Sequence, residues 1–243
     1  MRLDSAALAN VSIGNVPALD FERTDPFSIA AWFRTKDSSM QIIAGKSKTS
    51  LTDTGYFMAL GQYNPSFGAA GKLGFVLSDA YTDTSHWIGA DTSAGPALND
   101  NFWHHAVLTY DGSVSASGFQ FFVDAVAVTT TATGYSITGT TKNTAAFMIG
   151  GRISLAGPAQ LTFNGDLADV AVYSKALSAA EVSAIHSVVN APDLTDFGAI
   201  GNLRAFWRPS FRAGRTTIAD LSSSGNDGTP TRGVSFIRRT PVK

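Results

Sequence analysis

The stretch Phe163–His186, FNGDLADVAVYSKALSAAEVSAIH, decides the fold. Its first half is extended. Leu167, Val170, Val172 and Tyr173 are apolar in a segment rich in β-branched residues, which reads as a strand over Asp166–Tyr173. Ser178 is followed three positions later by Glu181, the spacing with which a helix start satisfies its free backbone N–H groups. Val182 and Ile185 give that helix one apolar stripe. A strand therefore runs through a turn into one short helix over 178–188, and nothing else in the chain reads as a convincing helix.

Outward from this stretch, strand signals recur at short intervals. They fall at Phe27–Arg34, Met40–Lys46, Tyr56–Gln62, Lys72–Ser78, His86–Ala90, Trp103–Tyr110, Gly118–Val123, Ala125–Thr131 and Ala146–Gly151. Turn chemistry separates them: Asp53-Thr54-Gly55, Asn64-Pro65, Gly68 to Gly71, Asn99-Asp100-Asn101 and Asp111-Gly112. Many short strands with regular turns predict an all-β, two-sheet antiparallel jelly-roll sandwich with one short helix. The tail beyond residue 202 is too loop-rich for a core of its own. It is expected to return to the sandwich through Leu203, Phe206, Trp207, Ile218, Leu221 and Phe236, making residues 1–243 one domain.

Composition narrows the function classes. Charged residues are 15% of the chain, below the roughly 25% of ordinary soluble domains, so Ser, Thr, Asn, Gly and Ala must dress the surface. The net charge of −1 supplies no field for nucleic acid or anionic lipid. There is no cysteine, which excludes disulfide and thiol chemistry. No apolar run is long enough to span a membrane, and the first residues lack an apolar signal core. The expectation is a chain made in a cytoplasm and not inserted in a membrane.

Several segments resemble laminin-G-like domains of the concanavalin A-like lectin and glucanase group. FSIAAWFRTK (27–36) is similar to the opening core strand. NFWHHAVLTYDGSVSASGFQFFVDAVAV (101–128) resembles the Trp-His strand, the Tyr-Asp-Gly turn and the following strand that usually ends in Asp-Gly. Here that glycine is Ala125, which implies a different turn. The stretch 163–186 is similar to the closing strand and helix, and residues 205–229 resemble a flank that in many relatives precedes the core strands. The resemblance implies the sandwich fold. It leaves function open, because lectins, glycanases, adhesion modules and virion proteins share it.

A retaining glycanase on this fold needs two carboxyls roughly 5–5.5 Å apart. The chain has two glutamates, Glu22 and Glu181, far apart in sequence, and Glu181 already caps the helix. His104 and His105 are adjacent on a strand and point to opposite faces, one inward and one to solvent, so they cannot readily share a metal. Gly45-Lys46-Ser47 mimics the end of a phosphate loop, but Met40 stands where that loop needs glycine. No Gly-x-Ser-x-Gly or His-Glu-x-x-His pattern occurs. The resemblance implies a structural calcium near Phe163-x-Gly165-x-Leu167, with Asp169 as a ligand, although Ala168 replaces a second acid. The loop Asp220–Asp227 is also rich in oxygen ligands. Sugar contacts are expected from loop aromatics with neighbouring polar groups, Tyr63 with Asn64, and Tyr81 and Asp83 with His86 and Trp87; the alternative is that Trp87 and one tyrosine pack in the sandwich.

The reading from sequence puts first a non-enzymatic virion subunit, a decoration or fibre-associated protein partnered by other virion proteins or by itself as a homo-oligomer. The alternative is a carbohydrate-binding adhesion module recognising a glycan. A glycoside hydrolase is the third reading.

Overall fold

The computed structural model describes residues 1–49, 54–62, 68–79, 85–92, 94–154, 157–188, 201–209, 217–231 and 233–236, with backbone alone at 48–49, 153–154 and 157–160. In chain order the strands are β1 (Arg2–Leu3), β2 (Val11–Gly14), β3 (Phe27–Arg34), β4 (Gln41–Thr49), β5 (Gly55–Leu60), β6 (Leu73–Ser78), β7 (Trp87–Asp91), β8 (His104–Tyr110) and β9 (Phe119–Val123). There follow β10 (Val126–Ala127), β11 (Thr131–Gly134), β12 (Phe147–Ile149), β13 (Arg152–Ser154), β14 (Gly157–Gln160), β15 (Gly165–Tyr173), β16 (Leu203–Trp207) and β17 (Thr229–Pro230). Among the described residues one α-helix, α1 (Ala179–Ser187), lies between β15 and β16.

These strands form two sheets. The first runs β1-β15-β3-β8-β9-β10, with β16 also on β15. The second runs β11-β7-β6-β5-β4-β12-β2-β17, with β13 and β14 attached at β4. Neighbours pair antiparallel except β13 with β4, which is parallel. The pleat sorts the residues of β3: Phe27, Ile29, Ala31 and Phe33 enter the core between the sheets. Ala30 points the other way and packs under α1 with Val182 and Ile185. The helix start follows the sequence reading. Ser178 Oγ accepts from the N–H of Glu181 at 3.3 Å, and Glu181 Oε2 accepts from the N–H of Ser178 at 2.9 Å.

The chain after residue 202 contributes to both sheets. β16 pairs with β15, and β17 with β2. Trp207 is fully buried and stacks on Phe147 with ring centroids 5.3 Å apart. Leu221, expected as an anchor, is instead exposed, because Asp220 takes the inward position. The end of the tail, beyond residue 236, lies outside the described residues.

The turn at Ala125 differs from the sequence expectation. A single two-residue loop joins β9 to β10, with φ of +50° at Asp124 and +67° at Ala125. Both centres in the left-handed region is the signature of the primed hairpin turn that Asp-Gly normally forms. Alanine has kept the turn and taken on its strain.

Candidate functional site

Four of the residues expected to touch sugar, Tyr63, Asn64, Tyr81 and Asp83, lie outside the described residues. Of the other two, His86 immediately precedes β7 and Trp87 opens it. Trp87 is 5% exposed, so its ring offers little surface to a ligand. It does not fill the space between the sheets. It packs on the outer face of the second sheet with Ile42, Phe57, Ala59 and Val76, on the opposite side of the strands from Tyr56, Met58 and Phe75.

What Trp87 supports is a second aromatic. Tyr135 follows β11, donates its N–H to the Trp87 carbonyl at 2.8 Å, and sets its ring edge-on to Trp87 at 6.2 Å and 79°. Tyr135 is 64% exposed. The loop after it is pinned from two directions. On one side the buried Asp79 carboxylate accepts the N–H groups of Thr138 and Gly139 through Oδ2, while its Oδ1 lies 3.3 Å from His86 Nδ1. On the other, Glu22 accepts from Thr140 Oγ1 at 2.7 Å and from the N–H of Thr141 at 3.3 Å, and Arg23 donates to the Gly139 carbonyl. Ile137 plugs the loop into the core. Between these anchors Tyr135, Ser136, Thr138, Gly139 and Thr140 stay exposed.

This corner presents a flat apolar ring on a fixed support, rimmed by hydroxyls. An exposed aromatic can pack against the C–H face of a pyranose, and nearby hydroxyls can bond the sugar's own. Sequence reasoning missed Tyr135. It lies in a Thr- and Gly-rich stretch beyond the strand read at Ala125–Thr131, and only the tertiary support of Trp87 marks it out.

The other candidates have different roles. Glu22 holds the Tyr135 loop, whereas Glu181 caps α1 and receives Lys175 Nζ at 2.6 Å. His105 is fully buried, because α1 covers the outer face of the first sheet. Its ring stacks on Trp32 at 5.0 Å and lies 5.4 Å from His186. His104 sits at the rim, with Nδ1 2.9 Å from Asp124 and Nε2 3.1 Å from Asp100. The hydrogen bond to Asp124 holds His104 above the ordinary imidazole range, with Asp100 adding to it against partial burial.

Asp169 sits at a bulge in β15, 2% exposed, with its Oδ1 2.9 Å from Arg208 Nε and its Oδ2 3.3 Å from Arg208 Nη2. A carboxylate covered by a guanidinium beside Ala168 does not fit a calcium ligand in this arrangement. In the second oxygen-rich loop, Asp220 accepts N–H groups from Phe206, Ser222 and Asn226, a carboxylate pinning a turn. Among the described residues no group of three or more His, Cys, Asp or Glu side chains is arranged to hold a metal.

The family model of the concanavalin A-like lectin/glucanases superfamily, in its third laminin-G form, matches residues 9–183. The chain belongs to this superfamily. A Bacteroides ovatus protein thought to bind carbohydrate is similar in structure, with a TM-score of 0.59 and 16% identity over 95% of this chain. The chain spans 58% of that protein's length. The Ruminococcus gnavus IT-sialidase CBM40 bound to α2,3-sialyllactose aligns with a TM-score of 0.48 and 19% identity, over 67% of this chain and 83% of that one. The SAP-like pentraxin of Limulus polyphemus aligns with a TM-score of 0.47 and 15% identity, over 76% and 84%. At these identities the likeness is one of fold. No curated protein matches the chain by sequence. The superfamily assignment agrees with the resemblance seen in residues 27–36, 101–128 and 163–186. No helix among the described residues is long and apolar enough to cross a membrane.

Proposed function

We propose that this domain binds carbohydrate and does not hydrolyse it. The observation that carries the reading is Tyr135, exposed, propped edge-on by buried Trp87 and set in a rigid rim of hydroxyls, in a chain of a lectin and glucanase superfamily. Asp79 and Glu22 are turned to holding the loop, so the groups exposed around the ring are hydroxyls and not carboxylates. It therefore suits a neutral sugar face. Both glutamates are engaged in structural bonds, which supports binding without catalysis.

This order puts binding ahead of the purely structural virion role that composition suggested. A glycan array with the purified protein, followed by product analysis on each hit, tests it. The expected result is a small set of bound glycans, their loss in Tyr135→Ala, and no cleavage. Release of shorter saccharides would overturn the non-enzymatic part. An empty array, together with docking in fixed copy number on a particle, would restore the structural reading.

A further inference from the structure

A second feature lies at the opposite end of β3 from the Tyr135 loop, whose Arg23 and Glu22 anchors precede Phe27. Where β1, the end of β3 and the start of β15 meet, the surface opens into a cleft of about 410 Å³. Its lining includes Arg2, Arg34, Lys36, Asp37, Asn101 and Asp166. Asp166 is the floor, with its side chain 1% exposed, and two guanidinium groups share it. Arg2 gives Nε to Oδ1 at 2.9 Å and Nη2 to Oδ2 at 3.0 Å; Arg34 gives Nε and Nη2 to Oδ2 at 2.9 and 2.6 Å. Burial pushes the Asp166 carboxyl up, but the bonds and charges of the two arginines outweigh it and hold the group ionised below its ordinary value.

One carboxylate neutralises one guanidinium, so a positive charge is left over. Both Nη1 groups carry no hydrogen bond to any described residue. The Asn101 backbone N–H donates to the Thr35 carbonyl at 2.9 Å, its side-chain amide carries no hydrogen bond to any described residue, and Lys36 stands exposed at the rim. The other acid of the lining, Asp37, also stays ionised, its Oδ1 accepting from the Ser39 N–H and hydroxyl and its Oδ2 from Asn164 Nδ2 at 3.0 Å; against the three cations Arg2, Arg34 and Lys36 the two carboxylates leave the lining with one positive charge in excess. The Arg34 guanidinium also lies over the Trp103 ring, 5.2 Å from its centroid, which fixes its plane. The cleft thus sets spare planar donors and an exposed ammonium around a space large enough for a sugar-sized group, and planar N–H donors suit sulfate, phosphate and carboxylate oxygens.

We propose that this cleft is a second binding site, for an oxyanion such as sulfate or carboxylate, free or carried on an acidic saccharide. It is separate from the Tyr135 corner in position and in chemistry.

The test is calorimetric titration and thermal unfolding of the whole chain with two probes. One is sodium sulfate against sodium chloride at equal ionic strength; the other is a sulfated disaccharide against its neutral parent. Saturable binding of either anionic probe, weakened roughly tenfold by Lys36→Glu and by Arg34→Gln, is the expected result. Lys36 makes no bond that the fold uses, so Lys36→Glu reads binding without loss of structure even where Arg34→Gln unfolds. Tighter binding of the sulfated disaccharide than of sulfate assigns the site to an acidic glycan; equal binding assigns it to the free anion. Tyr135→Ala is expected to leave the anion affinity unchanged, which separates this site from the corner. No saturable effect of either probe, or wild-type affinity in Lys36→Glu, overturns the proposal.

Discussion

Replacing Ala125 by glycine is expected to stabilise the protein. Ala125 closes the loop between β9 and β10 at φ +67°, beside Asp124 at +50°. In that region the Cβ of an L-residue crowds the following carbonyl oxygen, at a cost of about 1–2 kcal/mol that glycine does not meet. Glycine gives back roughly 0.4–1 kcal/mol through the greater freedom of its unfolded chain. The net gain is about 0.5–1 kcal/mol. For a chain of this size that raises the unfolding midpoint by about 1–4 °C. Asp124 must stay, because its Oδ1 accepts the His105 N–H at 2.8 Å and its Oδ2 faces His104. Urea unfolding followed by tryptophan fluorescence measures the effect as a higher midpoint at unchanged slope. The branched residue in Ala125→Val should lower it. A lower midpoint for Ala125→Gly would refute the reasoning and show that the turn is not strained at this residue.

The same assay reads the tail. Trp207→Ala removes a fully buried ring stacked on Phe147 and strands the Asn226 carbonyl that accepts from its indole at 2.8 Å, so a loss of about 3–5 kcal/mol is expected; an unchanged midpoint would mean that β16 does not stabilise the sandwich. His104 sets a pH dependence. Its folded value is raised above 6.5 by Asp124 and Asp100, so its contribution is fully present below about pH 6.5 and is lost as pH rises through the raised value. In His104→Gln the fall in stability across that window, about 1 kcal/mol or less for a group at the rim, should disappear, and a pH profile identical to wild type would contradict the assignment.

Much of the fold was legible because the signals were local. The Ser178 and Glu181 cap, the alternation of 27–34 and the turn residues between strands each act over a few positions, and the structure places elements there. The short strands β1, β2, β16 and β17 were not read as strands. Pairs such as Arg2–Leu3 and Thr229–Pro230 are extended only because β15 and β2 offer them an edge. The span 125–131 was read as one strand, but residues 128–130 break it into β10 and β11 on different sheets. The candidate sites were less legible. Trp87 looked like a loop aromatic able to touch ligand, yet three neighbouring strands bury it and hand exposure to Tyr135. The cleft was invisible, since Arg2, Arg34 and Asp166 meet only through pairing of β1 and β3 with β15, and their spacing carries no motif.

The central claim rests on the Tyr135 ring. Isothermal titration of the tightest array glycan into wild type, Tyr135→Phe and Tyr135→Ala tests it most directly. Tyr135→Phe keeps the ring and should bind within a few-fold of wild type. Tyr135→Ala should lose tenfold or more in affinity, about 1.4 kcal/mol, with an unchanged unfolding midpoint. Equal affinity in wild type and Tyr135→Ala, with the fold intact, would contradict the account.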